Sequence, residues 1–103
     1  MEQIERIREM ESCLDASEKA IRELSEALSA FEEVQPKFRQ LSEYYDSDLW
    51  MRDYEADEAG KFPRDLKRGV LSEDMIYDLL AENRELLVRM LRLVTGVLES
   101  DGL

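Results

Sequence analysis

The chain has 103 residues, 44% hydrophobic and 38% charged, with 25 acidic against 14 basic side chains and a net charge of −11. That balance excludes duplex nucleic acid and an anionic membrane as partners, because phosphate neutralisation supplies most of such affinity. Histidine is absent and Cys13 is the lone cysteine, which removes imidazole acid–base chemistry, an internal disulfide and a cysteine-based zinc site.

These totals favour a basic protein partner, or solubility alone, and they imply no cofactor. A lone cysteine points to a reducing compartment, so a cytoplasmic location is expected. The opening residues MEQIERIREMES are charged from position 2 and lack an apolar core, so no leader peptide is expected. Apolar runs are only a few residues long, and no membrane span is expected. One domain should form with a modest core of its own. With four Gly and two Pro among many Glu, Leu, Arg and Ala, that domain should be helical.

The first element is predicted over about 2–34. Ile7, Leu14, Ile21 and Leu28 recur every seven residues, and Met10, Leu24 and Phe31 follow members of that series by three, with Ser17 the polar exception. This is a coiled-coil-like seam held for about four heptads. On the opposite face Asp15–Lys19 and Glu18–Arg22 are placed as i,i+4 ion pairs. Cys13, on the flank of the seam, reads as a small buried apolar residue. Pro36 should end or kink the helix, because it lacks an N–H and clashes with the carbonyl of Glu32. Phe38, Leu41 and Tyr45 carry an apolar face on to about 44.

A short helix follows over about 48–59, capped by Ser47 or Asp46 and stopped by Gly60 as its C′ residue. Residues 60–71 form a connector punctuated by Pro63 and Gly69. The last helix is predicted over about 73–99. Ser72 is its N-cap, Glu73 and Asp74 lie in the first turn, and Leu71 with Ile76 forms a hydrophobic staple. Its apolar face, from Ile76 through Leu87 and Val94 to Leu98, is wider than a two-stranded seam requires. Asn83 falls at the centre of that face, where a buried Asn sets register or oligomeric state, or contacts a ligand.

The stretch 53–74 concentrates the candidate chemistry. An ideal helix places Asp53 and Asp57 beside the aromatic face formed by Trp50 and Tyr54. Asp53 and Asp57, with Glu58, are the candidate ligands for a magnesium ion. The competing and favoured reading pairs the acids internally with the basic run Lys61, Arg64, Lys67 and Arg68. The calcium-loop pattern fails, since Trp50 stands where its third ligand should be. Lys67-Arg68-Gly69 lacks the residues of a phosphate loop. The helical nucleotide pyrophosphohydrolases carry Glu-Glu-x-x-Glu, but here Glu32-Glu33 runs into Pro36, leaving only the second spacing in Glu43-Tyr44-Tyr45-Asp46. Tyr44, Tyr45, Trp50, Tyr54, Phe62 and Tyr77 crowd into one third of the chain. They read as a small core fastening the short helix, with a partner-binding patch as the alternative.

The run from Tyr44-Tyr45 through Trp50, Asp53-Tyr54-Glu55-Ala56-Asp57-Glu58 and Gly60-Lys61 is distinctive. So is its sequel, Asp65-Leu66-Lys67-Arg68-Gly69-Val70-Leu71-Ser72-Glu73-Asp74 and Ile76-Tyr77-Asp78-Leu79-Leu80. Together they resemble a family of small bacterial proteins catalogued as domain of unknown function 4298. The likeness covers nearly the whole chain and is most specific over 44–80. It implies a bacterial, cytoplasmic, all-helical protein, and it carries over no functional residue, cofactor or partner.

The expected architecture is all-α: an antiparallel helical hairpin of two long helices closed by a short one. A third layer would come either from the 38–59 segment or from a second copy in a homodimer. The expected function is a non-enzymatic interaction or regulatory module using the 44–80 surface, with Trp50, Asp53, Tyr54, Asp57, Lys67 and Arg68 as its residues. The alternatives are a magnesium-dependent phosphoester hydrolase built on the acids of the short helix, and an acidic nucleic-acid mimic. Bases interrupt both long helices, which argues against the mimic.

Overall fold

The computed structural model describes residues 2–101, which form three α-helices and a single 3-10 turn, with no strand among them. Helix α1 spans Gln3–Tyr45, α2 spans Asp48–Glu58 and α3 spans Glu73–Asp101, with the 3-10 turn at Gly69–Leu71. The all-α class, with long first and third helices around a short one, is therefore as expected. Among the described residues no helix is long and apolar enough to cross a membrane.

Pro36 lies inside α1 and does not end it. Proline leaves the carbonyl four residues back without its usual donor, so the helix tolerates one missing rung. One residue earlier, the Gln35 side chain donates to the Phe31 carbonyl at 3.2 Å. The chain nevertheless divides into two compact units at this proline, 1–36 and 37–103.

The first unit is a single helical stretch. Its seam is open: Ile21 is 71% exposed and even Leu28 is 39% exposed. Cys13 is exposed as well, so its expected burial does not hold: it sits on the surface of a single helix within this unit. Lys19 turns toward Glu23 at 3.9 Å, and not toward Asp15. On so exposed a surface the choice between i−4 and i+4 acids is worth a few tenths of a kcal/mol at most.

The second unit is built around a corner. Ser47 occupies the N-cap of α2 with extended backbone, but its hydroxyl donates to the Tyr44 carbonyl at 2.6 Å, at the end of α1. The capping residue thus serves the helix behind it. At the far end of α2, Gly60 takes a φ of +71°, which side-chain-bearing residues rarely adopt. The Lys61 N–H then reaches the Ala56 carbonyl and the Gly60 N–H the Asp57 carbonyl, at 3.1 and 3.0 Å. This double closure is a Schellman motif, and it satisfies two carbonyls that the helix end would leave open.

Trp50, Leu71 and Ile76 are the buried hydrophobic residues of this corner, with Leu41, Tyr44, Tyr45, Tyr54, Phe62 and Leu80 packed around them. Leu71 and Ile76 sit together in this core on either side of Ser72, as a hydrophobic staple requires. Side chains of the 38–59 segment thus pack around Ile76 near the start of α3. Further along α3, Leu91, Val94 and Leu98 remain exposed.

Candidate functional site

Trp50 is the centre of the corner. The period of α2 turns it inward, where its ring meets Tyr45 edge-on at 5.0 Å and stacks on Tyr54 at 5.3 Å. Its indole N–H donates to the Val70 carbonyl at 2.8 Å, tying α2 to the 3-10 turn before α3. Buried indoles need such a partner. Trp50 is 7% exposed, so it supports the corner from inside. Tyr77, grouped with this cluster by sequence, is 64% exposed and stands outside it.

Each of the two central acids of α2 has a fixed partner. The Tyr44 hydroxyl donates to Asp53 Oδ2 at 2.5 Å, across the bend between α1 and α2. Arg68 Nη1 donates to Asp57 Oδ1 at 2.5 Å, across the connector. The same guanidinium also reaches the Pro63 carbonyl through Nη2 and, at 3.4 Å, the Leu66 carbonyl through Nε. A planar fork with several donors suits this position, because it gathers three acceptors, a carboxylate of α2 and two carbonyls of the connector. Internal pairing, expected between the acidic helix and the basic run, thus falls specifically to Asp57 and Arg68. Lys67 stays exposed at the lip of a groove.

Asp53 and Asp57 consequently face different partners on different elements. A divalent cation held by both would have to displace a phenol and a guanidinium. Among the described residues, no group of three or more His, Cys, Asp or Glu side chains is arranged to hold a metal ion. Glu58 lies near Tyr54 and adds to the field acting on that phenol.

Two tyrosines report this electrostatic setting. Burial, then the hydrogen bond to Asp53 and its charge, push the Tyr44 phenol up to about 12. The Glu73 side chain, by hydrogen bond and charge, also raises Tyr54 above its ordinary value. The Tyr45 hydroxyl donates to the backbone carbonyl of the same Glu73 at 3.2 Å. An ultraviolet titration should therefore show Tyr44 and Tyr54 ionising later than the free phenol. A raised folded-state pKa contributes stability that is complete below the unfolded value, near 10. For Tyr44 this stability is lost as pH rises from about 10 to about 12. Alkaline unfolding should begin in that window, and Tyr44→Phe should weaken the dependence. An unchanged profile in Tyr44→Phe would show that the Asp53 bond contributes nothing.

Several grooves flank the corner, one of them lined by Tyr44, Asp53, Phe62 and Arg68. Another, of about 380 Å³, is lined by Leu41, Val70, Met75, Ile76 and Leu79, with Lys67 and Gly69 at its rim. A third, of about 630 Å³, lies between the end of α1 and the face of α3 that bears Tyr77, Asn83 and Arg84. Asn83 is half-buried there, at the wall of a groove and not in a sealed core. The acceptors that sequence reading missed are the Val70, Pro63 and Leu66 carbonyls. Backbone groups carry no residue-type signal, and the separations of 20 residues for Trp50–Val70 and 5 for Arg68–Pro63 follow no helical period.

The family model Domain of unknown function (DUF4298) matches residues 7–93, which include the corner and most of both long helices. No curated protein and no solved structure matches the chain.

Proposed function

The chain belongs to the DUF4298 family, and we propose that its 44–80 corner is a non-catalytic docking platform for another protein. The observation that carries this reading is the apolar groove beside the core. Its floor is Ile76, 3% exposed, while its walls include Met75 and Val70, still 59% and 42% exposed. The Trp50–Val70 bond and the Leu71–Ile76 packing hold those walls in place before any partner arrives. A pre-formed pocket loses little ordering entropy on binding. Asp74 and Asp78 are exposed on the same stretch of α3 as Met75 and Leu79. With the net charge of −11, they favour a partner that inserts an apolar side chain flanked by basic residues. The pairing of Asp53 with Tyr44 and of Asp57 with Arg68 weighs against a hydrolytic role for those acids.

The test is affinity capture from the source cells, with wild type and Leu79→Asp in parallel. Leu79 is partly exposed, so the variant should keep the wild-type melting temperature. The expected result is a specific protein retained by wild type, released by salt, and absent from the variant. Identical recovery by both baits, or no recovery by either, would overturn the proposal.

A further inference from the structure

We infer that the open seam of residues 7–31 is the docking surface for a second copy of this chain, in parallel and in register. This surface is distinct from the corner and does not depend on its proposed role. At the first seam position of each heptad stand Ile7, Leu14, Ile21 and Leu28; at the second stand Met10, Leu24 and Phe31, with Ser17 between them. The aliphatic side chains of this seam are all substantially exposed, although seven-residue periodicity has value to a helix only when another helix takes up the knobs. Ile at the first position with Leu at the second is the combination that favours two parallel strands. Ile21 followed by Leu24 supplies it at the middle of the seam.

The flanking charges bear on direction. One flank carries Glu11, Glu18 and Glu32, with Ser25 completing the series. The other carries Arg6, Cys13, Ala20, Ala27 and Val34. In a parallel pair, each flank of one helix meets the opposite flank of its mate. Glu11 then meets Arg6 of the second copy, Glu18 meets Cys13 and Glu32 meets Ala27. No acid faces an acid. In an antiparallel pair like flanks face one another, and every register with substantial overlap sets Glu against Glu. Flank charges of this kind are what select orientation in coiled coils. The row of small side chains creates no charge clash in a parallel dimer, since Cys13 and Ala27 lie opposite carboxylates that reach water beyond them and Ala20 lies opposite Ser25.

The test uses the full chain with Cys13→Ser as background. Ile21→Cys places a thiol on the seam, where symmetry in a parallel register brings it against its own copy. Lys19→Cys places one on the outer face. Under mild oxidation Ile21→Cys should form a reducible species of twice the 12.1 kDa chain mass, and Lys19→Cys should not. Light scattering of the unmodified chain should show the dimer, and Ile21→Asp should shift it to monomer with its helical circular dichroism largely kept. Monomer at every concentration overturns the inference, as does equal cross-linking at both positions. A dimer that survives Ile21→Asp overturns it too, because the second copy must then sit elsewhere. A dimer with no Ile21→Cys cross-link rejects the parallel register.

Discussion

Trp50→Ala should destabilise the corner by about 3–5 kcal/mol, the range for deleting a large buried aromatic side chain. Against a typical domain stability of about 5–15 kcal/mol, that is enough to unfold much of the population at moderate temperature. The expectation follows from what the indole touches. It is 7% exposed, it packs on both Tyr45 and Tyr54, and it gives the Val70 carbonyl its hydrogen bond. Removing it opens a cavity between α2 and the start of α3 and leaves Val70 without that donor. Trp50→Phe separates the two contributions: it retains most of the packing and loses the N–H, so it should cost less, with about 1 kcal/mol assignable to the hydrogen bond. Urea unfolding followed by far-ultraviolet circular dichroism measures both. A loss below about 1 kcal/mol for Trp50→Ala would show that the corner is held by something other than this ring.

The second large effect belongs to Arg68. Arg68→Ala removes the partner of Asp57 together with the donors to the Pro63 and Leu66 carbonyls. Hydrogen bonds to charged groups contribute about 1.5–3 kcal/mol. The Arg68 side chain is 32% exposed and that of Asp57 19% exposed. Water and salt therefore screen part of the interaction, and a loss of about 1–2 kcal/mol is expected. Arg68→Lys should restore only a fraction, since an ammonium cannot present the fork that reaches three acceptors. The wild-type advantage over Arg68→Ala should shrink in high salt. If lysine restores full stability, charge alone matters there and the fork does not.

These two side chains also mark the boundary between what was legible in the residue order and what was not. The helices were legible because their determinants are local. Seven-residue apolar spacing, Ser72 before two acids, Gly60 after an acidic run and the Leu71–Ile76 staple all act within a few residues of themselves. They place the element limits close to those observed. Pro36 was the local signal that misled. A long helix stabilised on both sides can lose one hydrogen bond and continue, so the proline marks the division between two compact units without ending the helix.

The site depended on the path of the connector. Four basic residues follow the acidic helix, and nothing in their order distinguishes Arg68, which meets Asp57, from Lys61, Arg64 or Lys67. The turn through Pro63 and Leu66 makes that choice, because it brings the guanidinium back over α2. Trp50 illustrates the same limit. Helical period alone puts it on an aromatic face with Tyr54, but whether that face meets solvent or a core is decided by where Val70, Leu71 and Ile76 arrive from the far side of the connector. Local propensity and periodicity are properties of neighbouring residues and survive in a linear reading. Burial and pairing belong to segments that meet only after the chain has turned, and for this corner only the folded arrangement settles them.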